Sequence, residues 1–123
     1  MNMQMGGITI DCAAPQQLAE FWAPALGVTN VQDYGEYVLL LGEPYVGLQR
    51  VPEPRSGKNR VHIDFHTDDR AGEVARLVGL GATHVADHTI PGLSWTVLQD
   101  PEGNEFCVGT TVGTPERAAG QEA

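Results

Sequence analysis

The sequence is short of basic residues, of cysteine and of long apolar runs, and each shortage excludes a class of protein. Seven Lys and Arg stand against sixteen Asp and Glu, for a net charge of −9. Nucleic acids and anionic membranes bind clustered positive charge, so we expect neither as a partner. Two cysteines are too few for a disulfide scaffold and favour reduced thiols in the cytoplasm. No apolar run approaches the roughly 18 residues that a membrane span needs.

Motifs for several common chemistries are also missing. The chain has no P-loop, no G-x-G-x-x-G, no H-E-x-x-H and no G-x-S-x-G, so phosphoryl transfer, dinucleotide chemistry and triad hydrolysis have no support. Its first residues lack the basic and apolar regions of a signal peptide. A hydrophobic content of 41% fits one globular domain, which we place at residues 1–112. Residues 113–123 lack apolar periodicity and are expected to be a disordered tail.

The hydrophobic pattern passes through the same order of elements twice. Strand, helix and strand signals in residues 5–52 recur in residues 60–110, and the Pro-rich residues 52–59 between them are typical of a linker. This weak repeat predicts two modules. The predicted strands are 8–11, 31–34, 37–41, 45–51, 61–66, 84–87, 94–99 and 105–108, and the strand at 31–34 is counted to give the first module three strands after its helix. The first predicted helix begins at Pro15 and ends at Gly27, and Pro24 is expected to bend or shorten it. The second follows the cap at Asp68-Asp69 and ends at Gly81, with Val74, Leu77 and Val78 as its apolar stripe.

Alternation along the strands separates core side chains from those able to do chemistry. Ile63 and Phe65 share one face of their strand, which should meet the helices. The opposite face carries two histidines and a carboxylate, which are candidates for proton transfer. Taken singly, such residues commonly mark a solvated face, but together they predict a ligand-binding cleft. The candidate catalytic residues are His62, Asp64 and His66, and the candidate cleft residues are Asp11, Gln49, Trp95, Glu105 and Cys107.

The remaining aromatic and thiol groups have competing interpretations. Trp22 lies on the apolar stripe of the first helix and is expected in the core. Trp95 follows a Pro-Gly turn, where a pocket rim and an ordinary strand position are both reasonable. Cys107 is interpreted as a buried, inert thiol rather than a nucleophile.

Four motifs in order give the chain a resemblance to the glyoxalase/bleomycin-resistance (vicinal oxygen chelate) superfamily. They cover most of residues 7–109, and residues 50–54 (RVPEP) resemble those of poorly characterised glyoxalase-like domains. The resemblance implies an α+β fold of two βαβββ modules. These would form a concave, partly open, barrel-like sheet with helices outside, usually in a homodimer. The motifs are residues 18–22 (LAEFW) with 26–27 (LG), 61–69 (VHIDFHTDD), 80–82 (LGA) and 100–106 (DPEGNEF).

The resemblance also implies where a divalent metal would be held. The four ligand positions of metal-dependent members fall here on Gly7, Gln49, His62 and Cys107. Glycine offers no side-chain ligand, and cysteine stands where glutamate is expected. An alternative set of His62, Asp64 and His66 is unsuitable, because residues i and i+4 of a strand are about 13 Å apart. We therefore assign no metal residues and disfavour a divalent cofactor.

Three functions remain open. The first is binding of a small molecule without established catalysis, and the acidic charge permits a cationic one. The second is an enzyme of lyase, isomerase or dioxygenase type that acts on a small oxygenated metabolite, with or without a metal. The third is an accessory ligand-binding domain. The sequence favours binding, because the metal-ligand set that the family's enzymes use is incomplete.

Overall fold

The structure, a computed structural model, describes residues 2–110 of the 123 in the sequence. Its contacts divide the chain into two units, residues 2–57 and 58–110, with the boundary inside the predicted linker. The predicted disordered tail, residues 113–123, lies outside the described residues. Within the described range, no helix is long and apolar enough to cross a membrane.

The first unit has the predicted order of one helix among four strands. Its sheet has the order β1-β4-β3-β2, in which β1 runs parallel to β4 and the other pairs are antiparallel. The elements are β1 (Gly7–Cys12), α1 (Pro15–Leu26), β2 (Val31–Asp33), β3 (Tyr37–Leu40) and β4 (Tyr45–Arg50).

The second unit repeats this plan. Its sheet has the order β5-β8-β7-β6, again with the first pair parallel and the others antiparallel. The elements are β5 (Ile63–His66), α2 (Arg70–Leu80), β6 (Thr83–Ile90), β7 (Leu93–Gln99) and β8 (Glu105–Gly109). The α+β class and the βαβββ order of both modules are therefore confirmed, and neither four-stranded sheet closes on itself.

Helix α1 buries the predicted apolar stripe, including Trp22, whose ring packs edge-on against Phe21. Pro24 was expected to bend or shorten this helix. It does not shorten the helix, because α1 continues to Leu26. Burial of the stripe on both sides of the proline outweighs the hydrogen bond that its missing N–H removes. Gly27 then ends the helix in the left-handed conformation, with φ 67°.

Helix α2 begins at the predicted cap. The Asp69 carboxylate accepts a hydrogen bond from the Gly72 backbone N–H at 3.1 Å and so satisfies one free donor of the first turn. The apolar stripe needs a correction, because Leu77 is the buried residue of α2, whereas Val78 is 44% exposed.

Asp69→Ala is expected to lower the free energy of unfolding by about 1 kcal/mol, since it removes this cap. Urea denaturation measures the change, and Asp68→Ala, at an exposed position that does not cap α2, is the matched control. Equal losses in the two variants would contradict the assignment of Asp69 as the cap.

Two strands of the second unit differ from the prediction by more than one residue. The strand predicted from residue 61 begins at Ile63, because the Asn59 side chain binds the Val61 carbonyl oxygen at 2.6 Å and holds it outside the ladder. The strand predicted at 84–87 extends from Thr83 to Ile90. This strand is exposed along most of its length and its register shifts between His84 and Ala86, so it lacks the alternation that reveals a half-buried strand.

The motif of residues 100–104 builds the turn into the last strand. Asp100 is 2% exposed, and its carboxylate accepts hydrogen bonds from the backbone N–H groups of Glu102 and Asn104, both at 2.9 Å. Gly103 supplies the positive φ of 88°. These contacts set the start of β8 and with it the position of Cys107.

Candidate functional site

The parallel pair β5 and β8 separates a core face from a face that carries reactive groups. Phe106 and Val108 are 1% and 2% exposed and belong to the core. Asp64 lies directly beside Cys107 in the register of the two strands. Because side chains alternate along a strand, Cys107 points away from the face of Phe106, as predicted.

This second face borders a pocket of about 350 Å³. That volume lies at the lower end of the range usual for small-molecule sites. Apolar groups supply part of the wall and titratable groups another part. The lining residues are His62, Asp64, Phe65, His66, Leu93, Trp95, Cys107, Gly109 and Thr110.

His62, Asp64 and Cys107 form a cluster at the polar part of the pocket. The His62 Nε2 atom is 3.2 Å from Asp64 Oδ1, and one ligand atom from each of the three residues lies within 4.8 Å of the others. Burial of the thiol, followed by the negative charge of Asp64, raises the pKa of Cys107 above its ordinary value. The thiol therefore stays protonated at neutral pH, in keeping with the interpretation of Cys107 as inert.

Trp95 provides the flat part of the wall. Its ring stacks on that of His88 with centroids 5.2 Å apart and an angle of 25° between the planes, and the two residues are register partners of β7 and β6. His88 was not among the predicted site residues, because the strand predicted here ends at Asp87. Trp95 belongs to β7 and also lines the pocket.

A polar network on the opposite face of β7 fixes the strand that carries Trp95. Thr96 is 1% exposed, accepts a hydrogen bond from Arg70 at 2.8 Å and donates one to Asp87 at 2.7 Å. His84 lies 3.1 Å from the other Asp87 oxygen. The Thr96 hydrogen bond, followed by that with His84, lowers the pKa of the Asp87 carboxyl. The register shift in β6 brings His84 and Asp87 together, although they are three residues apart.

The other predicted cleft residues lie elsewhere. Asp11 and Gln49 belong to the first unit, where they are exposed register partners of β1 and β4. Glu105 begins β8, two residues before Cys107. Among the described residues 2–110, it is not one of those that line the pocket. A shared cleft that joins Asp11 and Gln49 to the pocket residues stays a prediction.

The first of the four family metal positions does not fit a metal ligand. A Cβ atom added at Gly7 would collide with the backbone oxygen and the ring of Tyr45, its register partner on β4. A larger side chain there requires the backbone to shift. Gly7 therefore supplies no side-chain ligand at the first of these positions, and its surroundings leave no room for one.

Gly7→Ala is expected to lower the free energy of unfolding by about 1–3 kcal/mol through this collision. Gly79→Ala in α2 is the matched control, since an added Cβ there meets nothing within 4 Å. Alanine is the better helix former, so the control should gain about 0.5–1 kcal/mol. Chemical denaturation of both variants measures the two changes in the free energy of unfolding, which should have opposite signs. If Gly7→Ala leaves this free energy unchanged, the crowding argument is contradicted.

The fold and the pocket define a two-module α+β domain with a small-molecule-sized site, and comparison with known families agrees. The model of the glyoxalase-like domain family matches residues 7–109. The chain belongs to this family. No curated protein matches the chain significantly.

Solved structures share the fold at low sequence identity. A glyoxalase/bleomycin resistance protein/dioxygenase family enzyme from Burkholderia phytofirmans PsJN has a TM-score of 0.73 and 18% identity over 89% of this chain and 100% of its own. The fosfomycin resistance protein FosX from Mesorhizobium loti has a TM-score of 0.74 and 15% identity, with coverages of 92% and 96%. The oxidase ChaP-H2 has a TM-score of 0.65 and 20% identity over 93% of this chain and 98% of its own. These likenesses show the superfamily fold, which hosts proteins named for different activities.

Proposed function

We propose that the protein binds a small organic molecule in the pocket of the second unit. The observation that carries this proposal is the pairing of an aromatic wall with a polar cluster around about 350 Å³. Trp95 and Leu93 would contact the flat or aliphatic body of the ligand. His62 and Asp64 would bind its polar end, since Asp64 accepts hydrogen bonds and attracts positive charge. The net charge of −9 also favours a neutral or cationic ligand.

Intrinsic fluorescence tests this proposal, because the chain has two tryptophans and only Trp95 lines the pocket. In a Trp22→Phe variant, planar aromatic compounds with neutral, cationic and anionic substituents are titrated and the Trp95 emission is followed. Saturable quenching by neutral or cationic members is expected. The matched Trp95→Phe variant, which retains Trp22, should show none. A panel that leaves the Trp95 emission unchanged throughout would count against the proposal.

The geometry of His62 favours catalysis as a second candidate function. A carboxylate 3.2 Å from an imidazole orients the ring and supports its role as a general base. In this case His62 would remove a proton from the bound molecule, with Asp64 as its partner and His66 as the second acid or base beside the pocket. Product analysis by mass spectrometry on compounds that bind distinguishes the two functions. Turnover that His62→Ala abolishes while binding persists would establish the enzyme, whereas binding without turnover supports the first proposal.

We further propose that the protein is a homodimer in the cytoplasm. Ile90 and Val85 on the edge strand β6 are 51% and 45% exposed, and a second copy would cover such apolar groups. Neither Cys12 nor Cys107 forms a disulfide, which suits a reducing compartment. Sedimentation at micromolar concentration is expected to give twice the chain mass of 13.2 kDa, and a monomer would refute the dimer. Recovery of the protein outside the cytoplasmic fraction of its cell would refute the location.

A further inference from the structure

We infer that the pocket of the second unit contains a slot for a planar, cationic nitrogen heterocycle, whose ring stacks between Trp95 and His66 above the backbone of Gly109. The pocket volume admits about one or two fused rings. The inference rests on the proposed function and deepens it, because it names the class of the small molecule and the place of its ring.

One row of register partners crosses the pocket face of the sheet and forms this slot. His66 on β5 is the partner of Gly109 on β8, and Gly109 is the partner of Trp95 on β7. All three residues line the pocket. The row continues to His88 on β6, whose ring stacks on that of Trp95. Of these four residues, Gly109 alone has no side chain, so the row has an open place between two aromatic side chains.

The spacing of the row suits one inserted ring. Neighbouring strands of a sheet are about 4.8 Å apart, so the backbones of His66 and Trp95, two strands apart, are separated by roughly 9.6 Å. A flat ring midway between them is about 4.8 Å from either wall, within the range of about 4.5–7 Å for the centroids of aromatic pairs. The rings of Trp95 and His88 are 5.2 Å apart, so the same spacing already holds one stacked pair in this row.

The Trp95 indole is held with one face toward the slot. His88 covers the face that is turned to β6, and the opposite face is turned to β8, where Gly109 adds no side chain. A Cβ atom at Gly109 would lie 3.0 Å from the Cβ atom of Trp95 and 3.0 Å from the Ser94 backbone oxygen. A larger residue at this position would therefore crowd Trp95 and also occupy the place of the ligand ring.

The end of the slot toward the start of β8 favours a positive charge. Asp64 and Cys107 form the next row on the same face, roughly 6.6 Å along the strands from the row of Gly109. The Asp64 carboxylate attracts a cationic nitrogen or accepts a hydrogen bond from an N–H group. The indole face of Trp95 also attracts cations, so a cationic heterocycle satisfies both groups at once.

The other end of the slot favours a hydrogen-bonding substituent. Thr110 follows Gly109 and lines the pocket. Among the described residues 2–110, its Oγ1 atom is the buried side-chain oxygen that has no hydrogen-bond partner. A buried polar atom without a partner is unfavourable, and an amide or hydroxyl group on the ligand would satisfy it.

Titration of the full-length protein with N-methylquinolinium, a planar cation of two fused rings, tests the slot. Its saturated counterpart, N,N-dimethyldecahydroquinolinium, carries the same charge without an aromatic face. Calorimetry should show that the aromatic cation binds at least about tenfold more tightly. In the NMR spectrum its ring protons should shift upfield and show nuclear Overhauser effects to the Gly109 α-protons and to the rings of His66 and Trp95.

Variants of the wall on β5 separate stacking from other contacts. His66→Ala should weaken binding of N-methylquinolinium by about 3–10-fold and reduce the upfield shift. His66→Phe keeps an aromatic face and should retain the parent affinity to within about twofold. His84→Ala, in the polar network on the opposite face of the sheet, is the control and should bind as the parent does.

Thr110→Val tests the other end of the slot, since it removes the hydroxyl group with little change of shape. The parent should bind a carboxamide derivative of N-methylquinolinium about 3–10-fold more tightly than the unsubstituted cation. Thr110→Val should abolish this preference and leave the affinity for the unsubstituted cation unchanged. A preference that persists in Thr110→Val would show that Thr110 does not contact the ligand.

The failure of this inference differs from the failure of the proposed function. Equal affinities for the aromatic and the saturated cation would overturn the slot while leaving small-molecule binding in place. A bound N-methylquinolinium without Overhauser effects to Gly109, or with the same affinity in His66→Ala as in the parent, would overturn it in the same way. If neither cation binds and no compound of the fluorescence panel binds, both the slot and the proposed function are wrong.

Discussion

Phe106→Ala is expected to lower the free energy of unfolding by about 3–5 kcal/mol, the range for removing a buried phenylalanine ring. Phe106 is 1% exposed, and its ring packs edge-on against Phe65 with centroids 5.9 Å apart. The adjacent Cys107 faces the pocket, so Phe106 tests the core face of β8. Urea denaturation gives the loss in stability.

Phe106→Leu is the matched control, because it keeps most of the buried volume and should cost less than about 1.5 kcal/mol. His66→Ala, at an exposed position on the other face, should change stability by about 0.5 kcal/mol or less. If Phe106→Ala and His66→Ala are equally mild, the assignment of core and pocket faces in the second unit is wrong.

Trp95→Ala is expected to weaken binding of the organic ligand about 30-fold, which corresponds to roughly 2 kcal/mol, as for an aromatic residue at the centre of a binding site. The ring supplies the flat wall of the pocket beside Leu93 and is held from behind by His88. Stability should fall by only about 1 kcal/mol, because the ring is half-buried. Calorimetric titration with a compound selected in the fluorescence experiment measures the affinity.

Trp95→Phe keeps an aromatic face and should retain affinity to within about threefold, so the comparison of the two variants isolates the loss of the stacking surface. Leu93→Ala, at the same wall, should produce an intermediate loss. An unchanged affinity in Trp95→Ala would show that the ligand binds away from this wall.

Local patterns in the sequence were sufficient to predict the architecture and to predict which strand residues point away from the core at the site. Alternation in residues 61–66 and 105–108 predicted which side chains leave the core, because a strand that packs a helix on one face must alternate. The cap at Asp69 and the helix end at Gly27 depend on neighbours within a few residues and were equally predictable.

Features that depend on the pairing of distant strands were not predictable. The proximity of Asp64 to Cys107 arises from the β5–β8 register, and the crowding at Gly7 arises from its pairing with Tyr45. His88 was missed because an exposed edge strand with a register shift has no regular pattern of burial. The sequence therefore predicted His62, Asp64 and Cys107 as candidate residues, but not the contacts that bring them together.

The most direct measurement of the central claim is chemical-shift mapping by NMR of the ¹⁵N-labelled protein during titration with the selected ligand. Binding in the pocket of the second unit predicts that the largest amide shifts occur on β5, β7 and β8 and include His66, Trp95 and Gly109. The Trp95 indole signal should move while that of Trp22 stays in place. Shifts concentrated on α2 or confined to the first unit, with the pocket amides unmoved, would contradict the proposed function.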